Sequence, residues 1–117
     1  MDIYECGEKL KALRIGDMVA KIPIFIGNIE IKTPVIQGGM GVGISRSKLA
    51  GAVAAEGGIG IISTAQIGYD EDGFEKDQAG CNLLAIRKHI KRAKEIACGN
   101  ALVGVNIMVA LKHYKEH

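Results

Sequence analysis

The 117-residue chain has no tryptophan, and aromatic residues make up only 4% of it. That argues against a surface that stacks nucleobases. Cysteine is scarce: Cys6, Cys81 and Cys98 are odd in number and form no CxxC pair. A disulfide scaffold or zinc ribbon is therefore not expected, and the three read as reduced thiols of a cytoplasmic protein. Neither sign of charge dominates, because 15 Lys and Arg face 13 Asp and Glu. A net charge of +2 is too balanced for a chain devoted to nucleic acid or an anionic membrane. No apolar run approaches the ~18 residues of a membrane span. Asp2, Glu5 and Glu8 precede any apolar run, so the N-terminus does not read as a signal peptide.

What the chain does contain is a core-forming composition. The hydrophobic share is 48% against 24% charged residues, which excludes the disordered class. The length is about 0.8 of a 150-residue domain, enough for one domain or part of one. Glycine is the outlier at 16 residues, about twice the usual share. Eight of them fall between Gly38 and Gly60, which marks that segment for attention.

Residues 2–14 have the spacing of a short amphipathic helix, weakened by Gly7. An 11-residue near-repeat follows, Ile15–Phe25 against Ile26–Ile36, which predicts paired extended segments. Gly27-Asn28 has the composition of a two-residue hairpin loop. From Pro34 the pattern becomes strand, loop, helix, strand. Short apolar strands are expected near 34–38, 59–64 and 102–108, with helices near 46–56 and 80–98. Ser45 or Ser47 is the expected cap of the first helix, and Gly57-Gly58 its stop. Residues 66–80 read as a polar loop. Leu83, Ile86, Ile90, Ala93 and Ala97 form the apolar stripe of the second helix. Its basic residues, and His89 with them, are expected to face solvent. Near-continuous apolar strands joined by helices predict an α/β fold with a parallel sheet.

The run from Gly38 to Ser45 lies between a strand and a helix, yet it is neither of the common nucleotide loops. Ile44 stands where a P-loop needs lysine. Ile44 or Arg46 stands where the dinucleotide fingerprint needs its third glycine. What the run offers is exposed backbone, which a flat ligand can approach closely, and Met40 adds a polarisable apolar side chain. The alternative is a tight turn whose glycines serve packing alone. Asn106, within an apolar strand, is the second candidate. A buried amide left unpartnered costs about 1–3 kcal/mol, so it must bond backbone, water or ligand. Both a structural and a ligand-binding role satisfy that. His113 and His117 are four apart, but no other ligand lies near and no metal site is expected.

Read together, Thr33–Ser45, Leu49–Ala65 and Gly104–Val109 resemble the bacterial nitronate monooxygenases, once called 2-nitropropane dioxygenases. The resemblance covers about residues 14–117. It implies the N-terminal portion of a flavin-binding TIM (β/α)8 barrel with parallel strands. In that frame, 1–33 are an N-terminal lead-in and 34–117 the first three barrel strands with their helices. It also implies an FMN-dependent oxidoreductase that oxidises alkyl nitronates with O2. Gly38, Gly39 and Met40 would lie against the isoalloxazine ring, and Asn106 would hydrogen-bond the flavin.

A full barrel takes about 250 residues. None of His89, His113 or His117 matches the family's catalytic histidine motif, so no catalytic residue is assigned and the chain is expected to be inactive alone. A segment of a flavin-type enoyl-acyl-carrier-protein reductase and a non-catalytic remnant are the alternative readings. Open sheet edges are expected to favour self-association.

Overall fold

The computed structural model describes residues 24–99, 102–109 and 115. The helix expected at 2–14, most of the first near-repeat copy, His113 and His117 lie outside them. A hairpin spans the junction of the two repeat copies. Strands β1 (Ile24–Ile26) and β2 (Ile29–Ile31) pair antiparallel with Ile26 opposite Ile29, so Gly27-Asn28 is the two-residue loop. Gly27 alone takes positive φ there, +59°, as the first position of a type II′ turn requires. Ile31 is buried, while Ile24, Phe25, Ile26 and Ile29 are about half exposed. The hairpin thus leaves most of its apolar side chains on the surface.

Three extended segments then run parallel. A bridge joins Ile36 to Ile59, and β3 (Gly60–Ser63) pairs with β4 (Val103–Asn106) from Gly60↔Val103 to Ser63↔Asn106. β3 is the central segment. The first strand is shorter than its expected span of 34–38, and the reason is local. Gln37 N–H still donates to the Ile59 carbonyl at 3.0 Å. The next sheet donor, Ile61 N–H, bonds the Gln37 side-chain oxygen instead, at 3.1 Å. The main chain of Gly38 is thereby released from the ladder.

Helix α1 (Ser47–Ala55) links the first segment to β3, and α2 (Gln78–Ile96) links β3 to β4. α1 ends in a Schellman turn. Gly57 has φ +84°, its N–H bonds the Ala54 carbonyl, and Gly58 N–H bonds that of Val53. The expected serine cap is corrected, because Arg46 occupies the N-cap and makes no side-chain cap bond. Ser45 and Ser47 have other partners. α2 begins two residues earlier than its expected span, because Asp77 caps it by accepting from Gly80 N–H at 2.9 Å.

The core lies between the two helices and β3. Ala50, Ile62, Ile67, Ala85, Ile86 and Ala93 are its buried members, with Ile90 and Val103 packed on them. Gly60 sits directly under the Ala50 carbonyl, so helix backbone rests on strand backbone. The sheet's free side is open: Ile36 and Val105 are exposed, and no closed barrel forms among the described residues. No helix among them is long and apolar enough to cross a membrane. Cys81 is a buried free thiol.

His89 is a further correction. It is partly buried, and its Nδ1 lies 3.1 Å from the Ser47 hydroxyl, joining α2 to α1. Burial pushes its pKa below the ordinary histidine range, and Arg46 and Lys88 reinforce the shift against Asp70 and Glu71. The unfolded chain therefore takes up the proton at higher pH than the folded one. Stability from this group is complete above about pH 6.5 and declines as the pH falls through the depressed folded value. Denaturant midpoints measured between pH 8 and pH 5 should fall on the acid side, and His89→Gln should flatten that slope. Asp70, whose pKa Arg46 lowers, acts below the ordinary carboxylate range and so outside this window.

Candidate functional site

The C-terminal ends of the parallel segments bring three pieces of chain together: the glycine loop 38–44, Ser63 with residues 64–70 after β3, and Asn106 at the end of β4. α/β folds bind ligands at this end of the sheet. Freed from the ladder at Gln37, the loop crosses over β3. A Cβ on Gly39 would lie 2.7 Å from Asn106 Cβ and 3.0 Å from Ile61 Cγ2, so only glycine fits this crossing. A Cβ on Gly38 would meet nothing within 4 Å, so its backbone is open to a ligand. Met40 is 51% exposed beside it.

Side chains hold the loop in this shape. Ser45 is 1% exposed, and its hydroxyl accepts from Met40 N–H at 2.8 Å and from the Gln37 amide at 2.9 Å. The same hydroxyl donates to the Gly38 carbonyl at 3.3 Å. Ser45 N–H returns to the Met40 carbonyl at 2.9 Å, and the Ser45 carbonyl accepts from Ser63 N–H, also at 2.9 Å. The Gln37 amide donates to the Gly38 carbonyl as well. Gln37 and Ser45 are site residues that sequence reasoning did not single out as such. The available signal for Gln37 was a polar residue closing an apolar strand just before a glycine run.

Asn106 differs from its expectation. The amide is exposed, not buried, because no described element covers that end of β4. Its Nδ2 donates to the Gly39 carbonyl at 3.2 Å, and its main-chain carbonyl accepts from Thr64 N–H at 3.2 Å and Thr64 Oγ1 at 3.0 Å. The structure therefore brings Gly38, Gly39, Met40 and Asn106 into one site.

On the other flank stands Arg46. Its guanidinium meets Asp70 through two nitrogens at 2.7 and 2.8 Å and donates to the Ile67 carbonyl at 2.8 Å. It lies 4.6 Å from the centre of the Tyr69 ring. The bond to Asp70 raises the pKa of Arg46 and lowers that of Asp70.

A parallel α/β unit with a glycine loop at its strand ends is the kind of unit from which (β/α) barrels are built. Comparison with protein families identifies which. Residues 23–117 match the nitronate monooxygenase family, and the chain belongs to that family. No curated protein matches it. The family is that of a TIM barrel, generally flavin-dependent, and its reading of this chain is a nitronate monooxygenase-like oxidoreductase.

Proposed function

We propose that this chain supplies the flavin-facing loop of an FMN-dependent oxidoreductase that oxidises alkyl nitronates with O2. The carrying observation is the loop from Gly38 to Met40, which is open at Gly38 and held from behind by Gln37, Ser45 and Asn106. A flat aromatic ring fits such a surface. Gly38 and Gly39 present backbone, and the exposed Met40 presents a polarisable apolar side chain. Asn106 spends a donor on Gly39, and its Oδ1 bonds none of the described residues, so this acceptor is available to a ring N–H. FMN held on this platform would supply the redox chemistry of the reaction, with O2 as the final oxidant.

The described residues supply the ring's platform more fully than a phosphate site. Arg46, the cation adjoining the loop, is already engaged by Asp70 and the Ile67 carbonyl. His89, between the helices on Ser47, is not placed as a base at the loop. We therefore expect weak FMN binding and no nitronate turnover from the 117 residues alone, with activity arising when the rest of a barrel is present.

A flavin titration with gel filtration tests this. The chain should bind FMN at micromolar or weaker affinity and elute as an associated species, since Ile36 and Val105 leave apolar sheet surface open. Asn106→Leu should weaken binding by about tenfold, the effect of one lost hydrogen bond to a partly covered site. Unchanged affinity would remove the role given to that side chain. Tight binding with nitronate oxidation by a monomer would refute the dependence on further chain. Reduction of an enoyl thioester with NAD(P)H, without nitronate oxidation, by a protein containing this segment in a complete barrel would favour the reductase reading.

A further inference from the structure

The loop after β3 is tied to the glycine loop by contacts that the platform itself does not use. Arg46 directly follows Ser45, the residue that holds Met40 N–H. Its guanidinium is anchored on Asp70 and on the Ile67 carbonyl, both from the following βα loop. The side chain is only 18% exposed, against 51% for Asp70, so the fork is covered on the arginine side. The face of the guanidinium lies over Tyr69. Tyr69 in turn supports the tip of the glycine loop. Gly43 has φ +75°, and a Cβ there would come within 2.9 Å of the Tyr69 ring and hydroxyl. Gly41 is likewise seated against Ala65 and Ser63.

We propose that Arg46 is a positioning residue of the ligand site: braced by Asp70 and stacked on Tyr69, it locks the second βα loop under the glycine loop and holds Gly38–Met40 in its ligand-ready shape. The proposal deepens the flavin-site reading and rests on it for the identity of the ligand. The brace itself is independent of that identity.

One charge removal should act and its neighbour should not. Asp70 and Glu71 are adjacent carboxylates on the same loop. Asp70 pairs with Arg46, whereas Glu71 pairs with Lys88 on α2 at 2.6 Å. Asp70→Asn and Glu71→Gln remove the same charge one residue apart. Hydrogen exchange of the full chain, read by mass spectrometry on peptides covering residues 38–46, measures loop opening directly. Asp70→Asn should speed exchange there by about tenfold, the effect of losing a charge-assisted fork, while Glu71→Gln leaves it within about twofold. Tyr69→Ala should act as Asp70→Asn does, and Tyr69→Phe, which keeps the ring, should restore protection.

FMN affinity measured on the same proteins should fall in the same order as loop protection. Equal effects of Asp70→Asn and Glu71→Gln, or none from either, would overturn the brace. Loss of protection in Asp70→Asn with unchanged FMN affinity would also overturn the positioning role, as the loop would then be braced without consequence for the ligand. If the unsubstituted chain binds no FMN, the flavin reading fails on that arm, while the exchange data still decide whether Arg46 braces the loop.

Discussion

Gly60→Ala should remove the cooperative unfolding transition of this chain. The new Cβ would be driven into the Ala50 carbonyl and the backbone around it. Neither partner is a flexible side-chain end, since one is a helix peptide and the other the central strand. Overpacking in a core that can adjust costs about 1–3 kcal/mol, and this site has backbone on both sides, so the cost lies at or above that range. Folded domains typically hold only about 5–15 kcal/mol in total. Separation of α1 from β3 would expose Ala50 and Ile62, both fully buried. Circular dichroism during urea titration should show a broad, low transition or none. Gly38→Ala is the control. It meets no neighbour within 4 Å, and its backbone is not in the left-handed region, so its midpoint should match the unsubstituted chain.

Gly39→Ala should have the largest effect on the site while leaving the fold. Its Cβ would approach Asn106 Cβ at 2.7 Å and Ile61 Cγ2 at 3.0 Å, closer than carbon atoms pack. The loop, unlike the Gly60 contact, can retreat. Doing so breaks the 3.2 Å bond from Asn106 to the Gly39 carbonyl and shifts Met40 on its Ser45 anchor. FMN affinity should drop by more than tenfold, above one lost hydrogen bond, because platform and amide are displaced together. The unfolding midpoint should change little, since the affected contacts lie on the open side of the sheet. An affinity within twofold of the unsubstituted chain would show that ligands do not rest on this crossing.

The contrast between these two glycines marks the limit of the sequence. Both stand in the same glycine-rich stretch, and composition alone made that stretch notable. Local chemistry decided what is local. Apolar runs beside Pro34 and Gly58, Gly57 in its left-handed cap, Gly27-Asn28 in its hairpin and the 3.6-residue stripe of α2 all depend on neighbours in the chain. So does the family motif around Gly38, Gly39 and Met40, which is a contiguous string. Those features put a parallel α/β unit and a loop at its strand ends within reach of reading.

Other features depend on which strand lies beside which, and these only the tertiary structure decided. Ser45 resembles a helix cap in sequence, but three loop groups compete for its hydroxyl and win. Gln37 replaces a main-chain acceptor because β3 lies alongside it, 24 residues further on. Asn106 is exposed because burial depends on what covers a strand end, and alternation along β4 cannot tell that. His89 sits on a basic helix, yet α1 packs against it and shields it partly from water. Asp70, one of five acidic residues in a polar loop, pairs with Arg46, 24 residues earlier, while its neighbour Glu71 pairs with Lys88, 17 residues later. Hydrogen bonds and desolvation act over a few ångströms of space, whatever the distance along the chain. The sequence alone therefore determined the elements, the family and the position of the glycine loop, while the packing of α1 and the loop after β3 decided which side chains hold that loop in place.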